Sequence, residues 1–337
     1  MSSKTPGRRE RWRQKQVEQD KARRDARVQE KTEQILNSSE LGPQQTGLIV
    51  AHYGANFDVV DQEHKHHHCL SRKNLPKLVC GDRVFWQSSG QDVGVITALQ
   101  ERHTLLARPA YNKQLKPIAA NVDLIVVVAA PVPEFDLDLI NRYLIAARLT
   151  DIEPLLLFNK IDLLNPSEQE HLRQELALYV DIGYDVCFVS TKQKDGLQAL
   201  WESLADKTSI FVGQSGVGKS SLIQTLLPDN DIRIGDLSVA SGLGKHTTSV
   251  TRLYQLPSGG SIIDSPGIRE FGLGHVAQDR ISLGFIDFES FLGQCKFNNC
   301  THLNEPGCAI MNAVDCGKIH KQRYQSYRRI VQSLSKR

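Results

Sequence analysis

The spacing of apolar residues changes character along the chain, and each change predicts a different kind of structure. Residues 1–40 are rich in Arg, Lys, Gln and Glu. Trp12, Val17, Val28 and the Ile35-Leu36 pair are too sparse to build a core face, so a tail is expected, disordered or helical only when bound. Residues 41–112 carry short β-rich runs: Gly47–Ala51, Asn56–Val60, Asp82–Trp86 and Gly94–Ala98, divided by Gly, Pro and polar clusters. This rhythm predicts a small all-β barrel. Over 113–275 strands and helices alternate. Val122–Ala130 is a nearly unbroken apolar run, as expected of a parallel strand covered on both faces. A helix is expected over Leu137–Arg148, a strand at Leu155–Phe158, and a helix over Pro166–Val180 with Ser167 near its start. Strands at Val186–Ser190, Thr208–Gly213 and Gly260–Ile263, with a helix from Ser221 to Leu227, complete a doubly wound α/β domain. Residues 276–337 hold a cysteine cluster and a basic segment expected to end in a helix.

Composition narrows this picture. The chain has 337 residues, 40% hydrophobic and 23% charged, which suits two or three ordinary globular domains. No apolar run approaches the roughly 18 residues of a spanning helix. The N-terminus offers no apolar signal core, so a cytoplasmic protein with no membrane partner is expected. The net charge of +3 conceals an asymmetry: residues 1–35 carry 11 Lys and Arg against 6 Asp and Glu, the remainder 30 against 32. Such an arm suits nucleic-acid contact or simple solubilisation. The C-terminal segment interleaves Lys318, His320, Lys321, Arg323, Arg328 and Arg329 with Tyr324 and Tyr327, a pattern for RNA contact or a solvated helix face. In the barrel region, Cys80-Gly81-Asp82-Arg83-Val84 resembles the turn into an OB-fold strand, and OB-folds often bind nucleic acid. His64, His66, His67 and His68 are expected in a barrel loop that could touch phosphate or, alternatively, a metal.

The chemistry lies in the α/β region. Gly213-Gln214-Ser215-Gly216-Val217-Gly218-Lys219-Ser220 follows a strand and opens a helix, the context a phosphate loop requires. Its glycines let backbone N–H groups close around phosphate oxygens, with Ser221 starting the helix behind them. Lys219 is expected on the β- and γ-phosphates and Ser220 on Mg²⁺. Asn159-Lys160-Ile161-Asp162 ends a strand. Asp162 can accept two hydrogen bonds from guanine, and adenine offers neither in that arrangement. Ser190-Thr191-Lys192, at the next strand end, is placed for a second base contact. Asp264-Ser265-Pro266-Gly267 supplies a carboxylate for a Mg²⁺-bound water and an amide, at Gly267, that senses the γ-phosphate. Thr248, or Thr247, is expected to complete the Mg²⁺ shell. Ile268 stands where many small GTPases carry a water-orienting glutamine, so His246 is the candidate for that role, with a surface histidine as the alternative. Arg252 and Arg269 are nearby, but no intrinsic arginine finger is evident, so slow hydrolysis with acceleration by a partner is expected.

Four of the seven cysteines fall within Cys295–Cys316. Cys295, Cys300, His302 and Cys308 form a set suited to one closed, structural Zn²⁺, with Cys316 and His320 as alternatives at helical i,i+4 spacing.

The guanine reader precedes the phosphate loop, the reverse of the usual order. With the barrel before and the cysteines after, the whole chain resembles the circularly permuted GTPases of the RsgA family. The resemblance implies an OB-fold barrel, a central circularly permuted α/β P-loop GTPase domain and a small zinc-binding helical domain. It also implies a GTP hydrolase stimulated by the small (30S) ribosomal subunit, and a monomer is expected. Such an enzyme binds 16S rRNA, monitors a late stage of assembly and helps release another assembly factor. A switch-loop histidine serves hydrolysis in that family, matching His246. Gly216 stands where potassium-activated GTPases often have Asn, so potassium dependence is not expected.

Overall fold

The computed structural model describes residues 41–53, 56–90, 93–109, 115–193, 195–227, 251–265 and 276–335. The basic tail, His246, Thr247, Thr248, Gly267 and Ile268 lie outside the described residues. The chain divides into two compact units, one ending at Glu101 and one beginning at Arg102.

In the first unit, β1 (Gln44–Tyr53), β2 (Asn56–Val60), β3 (His66–Ser71), β4 (Arg83–Gly90) and β5 (Val93–Leu99) pair in the order β1-β2-β3-β5-β4. A β1–β4 ladder closes the five strands into a barrel, which leaves no open edge. Ile49, Val59, Val84, Trp86 and Ile96 fill its interior. The turn into β4 matches expectation: Gly81 takes φ 89°, its N–H donates to Ile49 O at 2.9 Å, and the buried Asp82 carboxylate accepts from Val79 N at 2.8 Å.

The histidine group corrects the sequence reading. His66, His67 and His68 lie on β3, not in a loop. His67 points inward, its ring 4.3 Å from that of Trp86 and its Nε2 2.7 Å from Asp61 Oδ2. His68 points outward and pairs with Asp58 at 2.6 Å. Alternation was present, but with a histidine at an inward position it carried no apolar signal.

The second unit opens with a hairpin, β6 (Leu105–Pro109) and β7 (Leu115–Ala120). There follow β8 (Leu124–Ala129), α1 (Leu137–Arg148), β9 (Glu153–Phe158), α2 (Pro166–Asp181), β10 (Asp185–Phe188) and α3 (Gln198–Leu204). Next come β11 (Thr208–Gly213), α4 (Lys219–Leu226), β12 (Thr251–Gln255), β13 (Ser261–Asp264), α5 (Ala309–Asp315) and α6 (Lys321–Ser335). The strands lie in the order β10-β9-β8-β11-β13-β12, all parallel except β12. Every residue of β8 is buried, which explains its unbroken apolar run. The start of α2 is fixed by Asn165 rather than Ser167. Asn165 Oδ1 accepts from Glu168 N at 3.0 Å, Glu168 Oε2 accepts from Asn165 N at 2.8 Å, and Pro166 fits the first turn.

The C-terminal helix also departs from expectation. Arg323, Tyr324 and Tyr327 are buried rather than presented to a partner. Arg323 pairs with Asp287 at 2.8 Å, hydrogen-bonds Asn141 of α1, and lies 4.6 Å from the Phe285 ring centroid. Lys318, His320, Lys321, Arg328 and Arg329 are exposed. Interleaved basic and aromatic residues look the same whether a helix faces RNA or clamps a neighbouring helix.

Candidate nucleotide and metal sites

The phosphate loop joins β11 to α4. Gly213, Gly216 and Gly218 all have positive φ, at 140°, 86° and 97°. A Cβ at Gly213 would lie 2.2 Å from Val128 O, and one at Gly218 would lie 2.4 Å from Asn159 Nδ2. Both positions therefore require glycine for conformation and for space. Val217 is buried and anchors the loop, while Gln214, Ser215 and Gly216 are exposed. Lys219 Nζ donates to Gly213 O at 2.8 Å and Gln214 O at 2.6 Å, so its ammonium is held over the loop. Ser220 and Ser221 sit in the first turn of α4.

The Asn159–Asp162 segment is built against that loop. Asn159 is buried at the end of β9, and its Nδ2 donates to Val217 O at 3.0 Å. Its Oδ1 is buried with no hydrogen-bond partner among the described residues. Lys160 takes a left-handed backbone at φ 63°, which turns the chain. Its Nζ spans Val132 O at 2.8 Å and Gly216 O at 2.7 Å. Asp162 follows in a single 3₁₀ turn, where Ser190 Oγ donates to Oδ1 at 2.5 Å and Lys192 Nζ lies 3.7 Å from Oδ2. Ser190 is fully buried and its Oγ accepts from Lys192 N at 3.1 Å, so the turn after β10 orients the Asp162 carboxylate. Asp264 ends β13 opposite Arg252 of β12, and Thr251 Oγ1 donates to the neighbouring Ser265 Oγ at 2.8 Å.

Tyr143 of α1 is a loop contact the sequence reading missed. Its buried ring lines a cavity of about 10 Å³ with Gly213, Gln214 and Val217, room for about one water. Its hydroxyl faces the Gly213 backbone. Burial pushes the phenol up in pKa and that backbone opposes the shift. The available clue was chemical: a tyrosine on the buried stripe of a helix needs a partner for its hydroxyl.

The four candidate metal ligands come together in the second unit. Ligand atoms of Cys295, Cys300, His302 and Cys308 all lie within 4.8 Å of one another. His302 Nδ1 is 3.4 Å from Cys295 Sγ and 3.5 Å from Cys308 Sγ, and those two sulfurs are 3.9 Å apart. Tetrahedral Zn²⁺, with bonds of about 2.3 Å to sulfur and 2.0–2.1 Å to nitrogen, sets S–S near about 3.8 Å and S–N near about 3.5 Å. The residues present therefore fit such an ion. Burial pushes the Cys300 and Cys308 thiols up, so the set needs a cation to gather as thiolates. Cys316 is exposed and stands apart from this cluster, which removes the alternative pair with His320. Tyr324 and Tyr327 of α6 donate to His302 O at 2.9 Å and Thr301 O at 2.7 Å. Glu305 Oε1 and Oε2 collect N–H groups of Thr301, Leu303 and Asn304, and the Thr301 hydroxyl, with the Thr301 and Asn304 amides, lowers its pKa to about 2 despite some burial.

No helix among the described residues is long and apolar enough to cross a membrane. Comparison with known proteins places the whole chain. Residues 99–274 match the model of the RsgA GTPase family. The small ribosomal subunit biogenesis GTPase RsgA of Pseudomonas syringae pv. tomato is 48% identical over 99% of this chain and 98% of its own. Its namesake from Pseudomonas putida is 48% identical over 99% of each. Among solved structures, YjeQ from Thermotoga maritima is similar with a TM-score of 0.72 and 28% identity, covering 88% of this chain and 100% of its own. YloQ, described as a circularly permuted GTPase, has a TM-score of 0.70 and 29% identity over 87% and 96%. The strand order, the phosphate loop and the preceding guanine-type segment agree with these likenesses, and the chain belongs to the RsgA GTPase family.

Proposed function

We propose that this protein hydrolyses GTP when bound to the small ribosomal subunit, as a late checkpoint in that subunit's assembly. The observation that carries the reading is the direct brace between two motifs. Asn159 and Lys160 bond to carbonyls of Val217 and Gly216, so base reader and phosphate loop form one pocket. The full-length relatives named for small-subunit biogenesis supply the partner.

In this reading the Asp162 carboxylate, oriented by Ser190, accepts from guanine, and Asn159 and Lys160 hold the base side of the pocket to the loop. Backbone amides of 213–220 bind phosphate oxygens, and Lys219 offsets charge on the β- and γ-phosphates. Mg²⁺ bound with GTP would neutralise phosphate charge from a shell including Ser220, Thr248 and, through water, Asp264. Gly267 senses the γ-phosphate. His246 orients the water that attacks the γ-phosphorus as the bond to the β-phosphate oxygen breaks, releasing GDP and phosphate. One structural Zn²⁺ is held by Cys295, Cys300, His302 and Cys308. The protein works in the cytoplasm as a monomer, with the barrel (41–112) and the C-terminal region (276–337) flanking the GTPase domain (113–275) and touching 16S rRNA and neighbouring assembly factors.

The test is GTP turnover with purified ribosomal subunits. Strong stimulation by the small subunit and little by the large one is expected, with Lys219→Ala abolishing turnover. Equal stimulation by both, or unchanged turnover in Lys219→Ala, would sink the assignment.

A further inference from the structure

Helix α1 touches both sites of the second unit, on opposite faces. Leu139, Ile140 and Tyr143 face the phosphate loop, lining the cavity with Gly213, Gln214 and Val217. Asp138, Asn141, Arg142 and Ile145 face the C-terminal region. Asn141 Nδ2 donates to Ser326 Oγ at 2.8 Å, and Ser326 Oγ donates to Asp138 Oδ1 at 2.6 Å. Arg329 grips Asp138 with two bonds, at 2.6 and 2.8 Å, and Arg142 Nη2 donates to Ser333 Oγ at 2.7 Å. The backbone at Gly284 also lies against α1, where an added Cβ would meet Ile145 Cγ2 at 2.3 Å. The same α6 that grips α1 also holds the metal loop, through Tyr324 on His302 O and Tyr327 on Thr301 O.

These contacts form an unbroken path of bonded and packed groups: phosphate loop, Tyr143, α1, Asn141 and Ser326, α6, Tyr324, His302. We propose that α1 is a strut that couples the two sites, so that nucleotide in the loop and metal in the knuckle hold each other in place. The proposal rests on the nucleotide and zinc readings above. Its physical basis is that each end of the path is a ligand-binding loop, while its middle is a pair of helices joined by buried side chains at Asn141, Arg323 and Ser326, so that a shift at one end strains the other. Coupling between bound ligands is reciprocal, so one factor must describe both directions.

The experiment uses the full-length, zinc-loaded protein. Zinc release to a chromogenic chelator is followed with and without saturating GDP, and GDP affinity is measured before and after zinc removal. Slowing of release by at least about fivefold with GDP is expected, with an affinity loss of similar size on stripping. Tyr143→Phe keeps the ring and removes the hydroxyl. It should still bind GDP and zinc, with the protection falling toward none. Arg329→Gln, at an exposed contact of the same path, should lower protection partially. GDP binding that leaves zinc release unchanged, or full protection retained in Tyr143→Phe, overturns the strut. Failure of the wild-type protein to bind GDP or zinc overturns the site readings and the strut with them.

Discussion

Around β8, β11 and β13, the polar atoms of the nucleotide site hang from strands covered on both faces. Around Cys295–Cys308, the ligands hang from turns. Val126, Val128, Leu157 and Phe211 pack a continuous core beneath the phosphate loop. Among residues 292–308, by contrast, His302 and Cys308 alone are buried, and both belong to the candidate metal cluster. The first region rests its phosphate loop and base-reading segment on a core of its own. The second has little buried apolar surface of its own and leans on α6 and, in the proposed reading, on a metal ion. Apolar burial contributes about 25 cal/mol per Å², so a segment that buries almost none has no other source of that size.

The largest effect that separates the two regions is metal removal. Structural zinc contributes about 10–16 kcal/mol in small zinc domains. Cys308→Ser, or chelation, should open residues 292–308 to proteolysis while β8–β11 remain protected. Equal resistance with and without metal would show that the knuckle is self-supporting and erase the contrast. Next is Arg323→Ala. It leaves Asp287 buried and unpaired, and breaking such a pair costs about 3–5 kcal/mol. Urea unfolding should show this loss, and Arg323→Met with Asp287→Leu should recover much of it. A loss below about 1 kcal/mol would mean that α6 is held mainly by its apolar contacts.

The third effect lies in the sheet region and concerns binding. In the proposed reading Asp162→Asn removes two charge-assisted bonds to guanine, each worth about 1.5–3 kcal/mol. GTP affinity should fall about 100-fold or more, with no change in thermal midpoint. A matching loss of stability would show that Asp162 is structural. The smallest effect is pH dependence at the interface of α1 with α6. Burial raises the Asp138 carboxyl's pKa, but hydrogen bonds from Arg329 and Ser326, with the charges of Arg329 and Arg142, outweigh it and leave the pKa lowered. Its contribution is therefore complete above the unfolded carboxylate pKa of about 3.9 and is lost as pH falls through the lower folded value. Comparing wild type with Asp138→Asn by denaturant unfolding should show a gap at pH 7 that narrows toward pH 3. A gap that widens in acid would reverse the assigned sign.

Legibility in the sequence follows the same divide. Where burial on both faces writes a long apolar run, as in β8, or where glycine is demanded by conformation, as at Gly213 and Gly218, element and role could both be read. The cysteine spacing named the ligands but left Cys316 and His320 in contention, because spacing carries no distance. β3 was missed because His67 occupies an inward position. α3 and β12 were missed because each turns only one or two residues into the core. Arg323, Tyr324 and Tyr327 were misread because a buried polar clamp and an RNA-facing helix share a residue pattern. Only the placement of Asp287 and Asn141 tells them apart.

The sheet order has a consequence for synthesis. β8 pairs with β9 on one edge and with β11 on the other, yet β11 begins almost eighty residues after β8 ends. At about 5–20 residues translated per second, the apolar edge of β8 waits roughly 4–16 s for its central neighbour. The nascent base-reading half therefore leaves the ribosome without a phosphate loop. A nucleotide that needs both segments can therefore stabilise the domain only after β11 and the loop that follows it have been made.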